Sequence, residues 1–461
     1  MELFSPADRQ PVHFVGIGGA GMSALASIAS RRGVAVTGCD TDPEGAADVA
    51  RLGAVIHRGH SPEHVEGARA VIVTAAVRRD HPELQRAQEL GIPVVPRKVA
   101  LAQLVAGRQV VAAAGTHGKT TTTVMATEAL AAAGLDPTGL AGGRVSGWGG
   151  NARLAGDALY VVEADEYDQA FLTLHPTVAI VNNVEADHLE CYGSLAALED
   201  GFTEFAGRAG TVLVGADDPG ARRIGERVAR AGTGRVWTFG TAEDADFRIG
   251  AVRQDAGITA AELVLPDGAR YELRLRVPGM HNLRNATGAL GAVVALGGDV
   301  GRALAALEAF SGVGRRFDRL GEAGGVAFVD DYAHHPSELV ATLAAARQAY
   351  PGRRLVAVFQ PHLYSRTQEH GAAMGAALAA ADFVVVTEIY AAREQPIDGV
   401  SGRQVADAAT AAGAEAVFEA DRATLGARVA GAIRPGDVVL TLGAGDITRL
   451  GPELVARLRA A

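Results

Sequence analysis

The sequence of 461 residues contains only two cysteines, Cys39 and Cys191, which lie far apart and form no CxxC pair. Such sparse cysteine usage argues against a fold held together by a disulfide framework. It is typical of proteins that work in a reducing compartment. We therefore expect a cytoplasmic protein.

The chain also lacks a long hydrophobic run, a secretory leader and a surplus of basic residues. No stretch of about 18 apolar residues occurs, so no membrane-spanning helix is expected. The first residues, Met1 to Arg9, have neither a basic segment nor an apolar core, so no signal peptide is expected. The net charge is −10, and no basic stripe stands out. We therefore expect neither a membrane nor a nucleic acid as partner.

Lysine is rare as well, since only Lys98 and Lys119 occur among 43 lysine and arginine residues. Lys119 lies in the stretch AAGTHGKTT, between an apolar run and a helix-prone segment. The chain uses arginine at nearly every other basic position. In a phosphate-binding loop, the compact ammonium of lysine fits better than the planar guanidinium of arginine. The position of this lysine therefore favours a phosphate-binding loop.

A glycine loop followed by a lysine and a hydroxyl at a helix start is typical of nucleoside triphosphate sites. The lysine neutralises the outer phosphates, and the hydroxyl faces Mg²⁺. Ala113 stands where the full pattern has its first glycine, so an ordinary strand-to-helix turn is the alternative. The predicted nucleotide-binding residues of this loop are Gly115, Thr116, His117, Gly118, Lys119, Thr120 and Thr121.

What the chain does have is apolar residues at 48% and 58 glycines, with strand-like and helix-like segments in alternation. This pattern predicts an α/β fold, and the length suggests about three domains. We predict a Rossmann-like domain over residues 1–107 and a P-loop domain over 108–312. The P-loop domain should have a mostly parallel sheet with an antiparallel extension. A second Rossmann-like domain is predicted over 313–461.

A second glycine loop opens the chain. The residues GIGGAG follow a predicted strand at 12–16 and match the G-x-G-x-x-G pattern, and a second strand ends at Asp40. Taken alone, this fingerprint favours an NAD-dependent oxidoreductase. The glycines establish only that a diphosphate can approach a helix N-terminus. The candidate binding residues here are Gly16, Gly18, Gly19, Ala20, Gly21, Met22, Ser23 and Asp40.

The stretch from Gly139 to Gly150 is rich in glycine and is followed by Asn151. We interpret it as a loop that contacts a ligand through Arg144 and Asn151. A flexible surface turn is the alternative.

Polar residues follow two predicted strands of the central domain. Glu163 ends one strand, and His188 follows the strand at 178–181. Open α/β sheets bind ligands at the carboxyl ends of their strands, so both are candidate Mg²⁺ ligands opposite Thr120. The alternatives are a solvated carboxylate for Glu163 and a helix-capping or core histidine for His188.

Two asparagines begin a helix predicted from about residue 280 to 296. Asn282 and Asn285 are three residues apart, face one side of that helix and could read an adenine edge. N-capping by Asn282 is the competing interpretation. In the third domain, polar clusters containing Asp331, His334, His335 and Arg366 follow strand ends and suggest a further site.

Taken together, these residues resemble the Mur ligase family. The resemblance runs from residue 16 to about residue 400, in the order of the family's motifs. Its matching blocks are GIGGAGMS, AGTHGKTTTT, EADEYDQAFL, NNVEADHLECYG, PGMHNLRNA, GRRFD, DDYAHHPSE, FQPHLYSRT and YAAREQPIDGV.

The resemblance implies an N-terminal domain for a UDP moiety, a central ATPase and a C-terminal domain for an incoming amino acid. The first glycine loop, Gly16 to Ser23, would then cradle the diphosphate of UDP instead of NAD. Lys119 and Thr120 would hold the phosphates of ATP and Mg²⁺, with Glu163 and His188 as further metal ligands. Asn282 and Asn285 would lie near adenine.

From the third domain, the resemblance implies that Arg316 approaches the phosphates. Asp331, His334, His335 and Arg366 would close the site and place the amino acid. His334 or His335 is the candidate to accept a proton from the amine. The implied catalytic residues are Lys119, His188, Arg316, His334 and His335.

The implied reaction joins L-alanine to the lactyl carboxylate of UDP-N-acetylmuramate through an acyl phosphate, with ATP and Mg²⁺ as cofactors. Some relatives bridge magnesium with a carbamylated lysine of the central domain, but no lysine follows Lys119 here. This absence favours family members that add L-alanine. The alternatives are a tripeptide ligase of murein recycling, an NAD-dependent oxidoreductase and a non-catalytic nucleotide-binding protein. Monomer and homodimer both remain open.

Overall fold

The computed structural model describes residues 2–255, 258–392 and 394–460. These residues form two compact units. The first unit comprises the chain up to Arg253 together with Ala260–Leu275 and Leu283–Phe310. The second comprises Ser311–Ala461 with the shorter segments Gln254–Thr259 and Arg276–Asn282.

The first sheet of the first unit has five parallel strands in the order β3-β2-β1-β4-β5. This is the strand order of a doubly wound, Rossmann-like sheet. Its central strand β1 is buried at every residue, as a strand covered by helices on both faces must be. The strands are β1 Val12–Val15, β2 Val36–Asp40, β3 Val55–Arg58, β4 Ala70–Val73 and β5 Val94–Pro96. The helices are α1 Ala20–Arg31, α2 Ala47–Arg51, α3 Pro82–Glu89 and α4 Arg97–Val105.

The second sheet has ten strands in the order β15-β14-β13-β12-β11-β10-β6-β9-β7-β8. Its strands are β6 Gln109–Ala114, β7 Thr138–Val145, β8 Gly150–Arg153, β9 Leu159–Glu163, β10 Val178–Val181, β11 Thr211–Gly215, β12 Arg235–Gly240, β13 Phe247–Asp255, β14 Ile258–Val264 and β15 Arg270–Leu275. Its helices are α5 Lys119–Ala132, α6 Leu189–Tyr192, α7 Leu195–Ala206, α8 Pro219–Ala231, α9 Met280–Ala295 and α10 Val300–Ala309.

The centre of the second sheet is parallel, with β6 between β9 and β10. A turn at Pro266–Gly268 joins β14 to β15, where the Leu265 N–H donates to the Ala269 carbonyl at 2.9 Å and Gly268 has a φ of +83°. The predicted α/β class, mostly parallel with an antiparallel extension, is therefore confirmed.

The prediction of a loop from Gly139 to Gly150 is partly wrong, because most of this stretch belongs to the antiparallel pair β7 and β8. The glycines serve close packing within the sheet. A Cβ at Gly139 would lie 2.6 Å from Thr127, and one at Gly142 would lie 2.7 Å from the Glu163 carboxylate. Glycine content alone does not distinguish such a strand from a turn.

The second unit contains a six-stranded sheet in the order β16-β17-β21-β18-β19-β20, parallel except for the β16–β17 pair. Its strands are β16 Asp318–Ala323, β17 Val326–Asp331, β18 Leu355–Phe359, β19 Phe383–Thr387, β20 Ala416–Glu419 and β21 Val438–Leu442. Its helices are α11 Pro336–Ala349, α12 Tyr364–Leu378, α13 Arg403–Ala411, α14 Arg422–Ala432 and α15 Leu450–Ala460. Within the described ranges, every helix is too short or too polar to cross a lipid bilayer.

Candidate active site

The predicted phosphate loop connects β6 to α5, and Lys119 is the first residue of that helix. Gly115 and Gly118 have positive φ angles of +127° and +82°, which side chains rarely adopt. A Cβ at Gly118 would also lie 2.7 Å from Oδ1 of Asn285. Both glycines are therefore required by the local backbone, and Asn285 lies directly against the loop.

The segment after β10 holds this loop in place. Oδ1 of Asn183 accepts a hydrogen bond from the His117 N–H at 2.7 Å, and the Asn183 carbonyl accepts one from the Thr116 N–H at 3.0 Å. Nδ2 of Asn182 donates to the His117 carbonyl at 3.2 Å and to Oγ1 of Thr122 at 2.9 Å. The shape of the loop is therefore set by the protein itself, which lowers the cost of ordering it around a ligand.

Lys119 is held by a buried carboxylate that was not among the predicted site residues. Its Nζ donates to Oε1 and Oε2 of Glu166 at 2.7 and 2.8 Å, and to the Gly115 carbonyl at 2.8 Å. Burial disfavours the charge on Lys119, but the combined attraction of Glu166, Asp165 and Glu163 outweighs it and raises the pKa of the lysine. Lys119 is thus charged, and its ammonium lies against the backbone carbonyls of the loop.

Glu163 ends β9 and lies in register with Ala113 of β6, beside the phosphate loop. Its Oε1 accepts a hydrogen bond from the Gly142 N–H. Glu163 and Gly142 also line a cleft, together with Gly21 and Arg97. The predicted metal ligand Glu163 and the first turn of α1 therefore border the same cleft.

His188 lies immediately before α6 with a positive φ of +55°. Its Nδ1 is 3.5 Å from the Glu190 carboxylate, and its ring packs edge-on against Tyr167 with centroids 5.2 Å apart. The side chain makes no capping hydrogen bond to α6. His188 thus occupies the N-cap position of α6 without a side-chain cap, and the metal-ligand prediction stays a prediction.

The first glycine loop is tied to the end of β2. The N–H groups of Gly16 and Ile17 donate to the Cys39 carbonyl, and the Gly18 N–H donates to Oδ2 of Asp40 at 2.9 Å. Asp40 also accepts from the Asp42 N–H at 2.9 Å. The structure therefore gives Asp40 a role in shaping the loop, whatever the ligand is.

The remaining residues of this loop open α1, which begins at Ala20. Met22 and Ser23 are buried, and Ser23 Oγ donates to the Ala20 carbonyl at 3.1 Å. A Cβ at Gly21 would lie 2.6 Å from Nη1 of Arg97. This guanidinium beside the helix N-terminus suits an anion, and sequence reasoning missed it because Arg97 is distant along the chain.

Arg144 and Asn151 differ in their surroundings. The guanidinium of Arg144 is half exposed, with Nη1 3.9 Å from the Asp48 carboxylate and Nη2 donating to the Gly149 carbonyl at 3.2 Å. Asn151 is buried, and its Oδ1 has no hydrogen-bond partner among the described residues. Such an atom can accept a hydrogen bond from a ligand, which agrees with its proposed role.

Asn282 is the third residue of α9, and its Nδ2 donates to the Pro278 carbonyl at 2.7 Å. A capping residue precedes the helix and accepts from it, so the N-cap interpretation of Asn282 is wrong. The side chains of Asn282 and Asn285 are both buried. Their predicted proximity to adenine stays a prediction.

In the second unit, the buried Asp331 organises the chain at the carboxyl end of β17. Its Oδ2 accepts from the Phe317 N–H at 2.7 Å and its Oδ1 from the Ala333 N–H at 2.8 Å. Burial raises the pKa of Asp331 to about 6, although Arg316 opposes the shift. The guanidinium of Arg316 lies over the Tyr332 ring, 4.8 Å from its centroid.

The two candidate proton acceptors differ in how their rings are bound. Nδ1 of His334 lies 3.0 Å from the Tyr332 carbonyl and 3.2 Å from the Glu338 carboxylate, so this nitrogen is the donor, and in a neutral ring Nε2 would be the acceptor. Nδ1 of His335 accepts from the Ser337 N–H at 3.4 Å and caps α11. Arg366 lies in α12 and is buried.

Comparisons with known proteins agree with this geometry. Three family models match the chain: "Mur ligase family, catalytic domain" at residues 11–109, "Mur ligase middle domain" at 113–293 and "Mur ligase, glutamate ligase domain" at 315–445. The chain is 47% identical to the UDP-N-acetylmuramate–L-alanine ligase of Streptomyces griseus, covering 98% of both sequences. The corresponding ligase of Delftia acidovorans is 44% identical over 97% of this chain and 96% of its own.

A solved structure is similar over the same extent. The crystal structure of the UDP-N-acetylmuramate–alanine ligase of Thermotoga maritima superposes with a TM-score of 0.84 at 31% identity. The match covers 98% of this chain and 99% of that one. Family models, full-length relatives and fold therefore agree, and the chain belongs to the Mur ligase family.

Proposed function

We propose that this protein is an ATP-dependent ligase that joins L-alanine to UDP-N-acetylmuramate in peptidoglycan precursor synthesis. The products are UDP-N-acetylmuramoyl-L-alanine, ADP and phosphate. The observation that carries the proposal is the near-complete alignment, at 47% identity, with a relative bearing that name. The preformed loop around a charged Lys119 supports the use of ATP.

The chemistry explains why a triphosphate site is needed. Joining a carboxylate to an amine in water is unfavourable, so the lactyl carboxylate first attacks the γ-phosphorus of ATP and becomes an acyl phosphate. The amine of L-alanine then attacks the acyl carbon, and phosphate leaves. In this proposal, Lys119 and Arg316 neutralise the charge that moves with the phosphoryl group.

Mg²⁺ would be held by Thr120, Glu163 and His188 and would neutralise the phosphate oxygens when bound. The hydroxyl and the carboxylate suit this ion well, and the imidazole suits it less. For the amine, the free Nε2 of His334 supports this residue as the proton acceptor over His335, whose Nδ1 already caps a helix. The amine must lose a proton to give the amide, and a neutral imidazole can take it.

We propose that the three regions of the chain bind the substrates that the corresponding regions bind in the family. We propose that residues 1–107 bind the UDP moiety through the first glycine loop, with Arg97 as an additional phosphate contact. Residues 108–312 would bind ATP, and residues 313–461 would bind the amino acid. We propose a cytoplasmic location, as a monomer or homodimer.

Purified protein given ATP, Mg²⁺, UDP-N-acetylmuramate and L-alanine should release ADP only when all are present. Lys119→Ala should lower this turnover by about 10²-fold or more, because the transferring phosphoryl group loses its cationic partner. Lys98→Ala is the matched control, since Lys98 pairs with Asp168 and is the only other lysine. Near-normal turnover by Lys119→Ala would overturn the assignment of the loop.

The same assay separates the alternatives. A murein-recycling ligase would prefer a tripeptide to L-alanine as the acceptor at equal concentration. An oxidoreductase would bind NADH and release no ADP. A nucleotide-gated binding protein would bind ATP without turnover.

A further inference from the structure

A cluster of metal-ligating side chains lies in the N-terminal part of the first unit and has no role in the proposed reaction. It is centred on Glu83 of α3, a carboxylate that is fully buried. We call it the Glu83 cluster. Its members are His13 on β1, Cys39 on β2, His60 after β3, and His81 and Glu83 at the start of α3.

One oxygen of Glu83 is the common centre of these contacts. Oε2 lies 2.9 Å from Sγ of Cys39, 3.5 Å from Nδ1 of His60, 3.9 Å from Nδ1 of His81 and 4.0 Å from Nε2 of His13. Sγ of Cys39 and Nδ1 of His60 are 3.2 Å apart. Four ligands at tetrahedral metal bonds of about 2.0–2.3 Å would be roughly 3.3–3.7 Å apart. His13, Cys39 and Glu83 form one group of ligand atoms within 4.8 Å of one another, and His60, His81 and Glu83 form a second. Side-chain movements that bring both groups around Oε2 would reach that geometry.

Two nitrogens that face Oε2 make no hydrogen bond among the described residues. They are Nε2 of His13, which is fully buried, and Nδ1 of His81. Leaving a buried polar atom without a partner costs about 1–3 kcal/mol, so protein interiors rarely keep one without a reason. A metal ion held by Glu83 and His81 would give Nδ1 of His81 a partner, whereas Nε2 of His13 lies outside the proposed ligand set.

The second oxygen of Glu83 is occupied in a way that orients the carboxylate. Oε1 accepts from the Ser61 N–H at 3.2 Å and lies 2.8 Å from Nδ1 of His64. These contacts leave Oε2 directed at the cysteine and the other histidines. Hydrogen bonds of this kind commonly fix the ligands of metal sites.

We propose that the Glu83 cluster binds one divalent transition-metal ion of the Zn²⁺ type, ligated by Cys39, His60, His81 and Glu83. A mixed set of sulfur, nitrogen and oxygen ligands favours such an ion over Mg²⁺. On binding, the Cys39 thiol becomes a thiolate and its proton passes to solvent. The His60 side chain is 26% exposed and provides the route for the ion. The site is structural and distinct from the divalent cation of the nucleotide.

Cobalt absorption provides a test that does not depend on activity. The full-length protein, reduced and stripped of metal by chelation, is titrated with Co²⁺ in the presence of excess Mg²⁺, which keeps the nucleotide site occupied. We expect a thiolate-to-cobalt charge-transfer band that saturates at one equivalent and disappears when Zn²⁺ is added. Absence of this band in the wild-type protein would overturn the proposal.

Variants identify the ligands. Cys39→Ser should abolish the band, because serine keeps the hydrogen bond to Glu83 but supplies no thiolate. Cys191→Ser is the matched control and should leave the band unchanged. A band that persists in Cys39→Ser, or is lost in Cys191→Ser, would contradict the proposal.

A second pair of variants guards against a general effect on folding. The double variant His60→Ala/His81→Ala changes only partly exposed side chains. It should weaken Co²⁺ binding by at least about 100-fold, since changing even a hydrogen-bond partner of a metal ligand usually costs about 10–100-fold. His175→Ala, at an exposed histidine outside the cluster, should bind Co²⁺ as the wild type does. Equal affinities for the double variant and the wild type would refute the ligand set.

Discussion

At the scale of single residues, the ion pair between Lys119 and Glu166 controls the phosphate loop. The Glu166 carboxylate is 1% exposed and contacts the lysine through both oxygens. Under the proposed function, a bound phosphate would compete with this carboxylate for the same ammonium. Glu166 would then stabilise the nucleotide-free loop while weakening the attraction of Lys119 for a nucleotide.

We expect Glu166→Gln to lower the melting temperature of the nucleotide-free protein, because it leaves Lys119 charged and mostly buried. Losing one partner of a buried pair costs about 3–5 kcal/mol. A non-hydrolysable ATP analogue should restore more stability to this variant than to the wild type. Both effects can be measured by differential scanning fluorimetry.

Glu199→Gln is the control for this prediction, since Glu199 is also buried and pairs with arginines, Arg223 and Arg227, on a neighbouring helix. It should lower the melting temperature without changing the shift caused by the analogue. An equal analogue-induced shift in Glu166→Gln and wild type would contradict the competition.

At the scale of elements, the phosphate loop depends on the segment after β10. Oδ1 of Asn183 accepts a hydrogen bond from the His117 N–H at 2.7 Å, and its Nδ2 donates one to the His117 carbonyl at 3.3 Å. The backbone of a glycine-rich loop has many accessible conformations, and these bonds select one of them. Nucleotide affinity should therefore depend on a residue that need not touch the nucleotide.

Asn183→Ala should raise the KM for ATP by about 10-fold, since loss of the Oδ1 acceptor costs about 1–3 kcal/mol of loop order. The measurement is steady-state kinetics with ATP as the varied substrate. Asp299→Ala is the control, because it removes a side-chain acceptor from the Arg302 N–H at the start of α10. A KM unchanged in Asn183→Ala, or raised equally in the control, would show that the loop does not need this support.

At the scale of the molecule, Arg32 connects the two sheets of the first unit. It follows α1, donates to the Leu104 carbonyl at 3.1 Å and contacts Asp157 and the Tyr160 hydroxyl at the second sheet. Burial raises the pKa of Tyr160 to about 12, so this hydroxyl keeps its proton. One guanidinium thus joins a carbonyl of α4, in the part of the unit that holds the first sheet, to Asp157 and to Tyr160 of β9 in the second sheet.

Arg32→Met should lower the free energy of unfolding by about 1–3 kcal/mol, because it leaves the Leu104 carbonyl and Tyr160 hydroxyl without this donor. Denaturant unfolding followed by circular dichroism measures the change. Arg78→Met breaks an exposed pair with Asp80 and should have almost no effect. Equal losses in the two variants would argue against a connecting role for Arg32.

Much of the central site was predictable because it is local in sequence. The order of glycine, lysine and threonine requires a strand before it and a helix after it, and β6 and α5 are where this pattern predicts them. The strand that ends at Glu163 and the strand at Val178–Val181 that precedes His188 followed from apolar runs of strand length. The glycine-rich stretch after Thr138 was misjudged, because a glycine chosen for close packing has the same sequence signature as one chosen for a turn.

The sequence alone determined the α/β class, the glycine loop between a strand and a helix that begins at Lys119, and the family, since each depends on neighbouring residues in a fixed order. Only the tertiary structure decided that Glu166 meets Lys119, that Arg97 lies beside Gly21, and that four histidines and a cysteine surround Glu83. These contacts join residues that are separate in the chain. Strand order and helix packing determine which of these residues meet, and no local sequence pattern specifies strand order or helix packing.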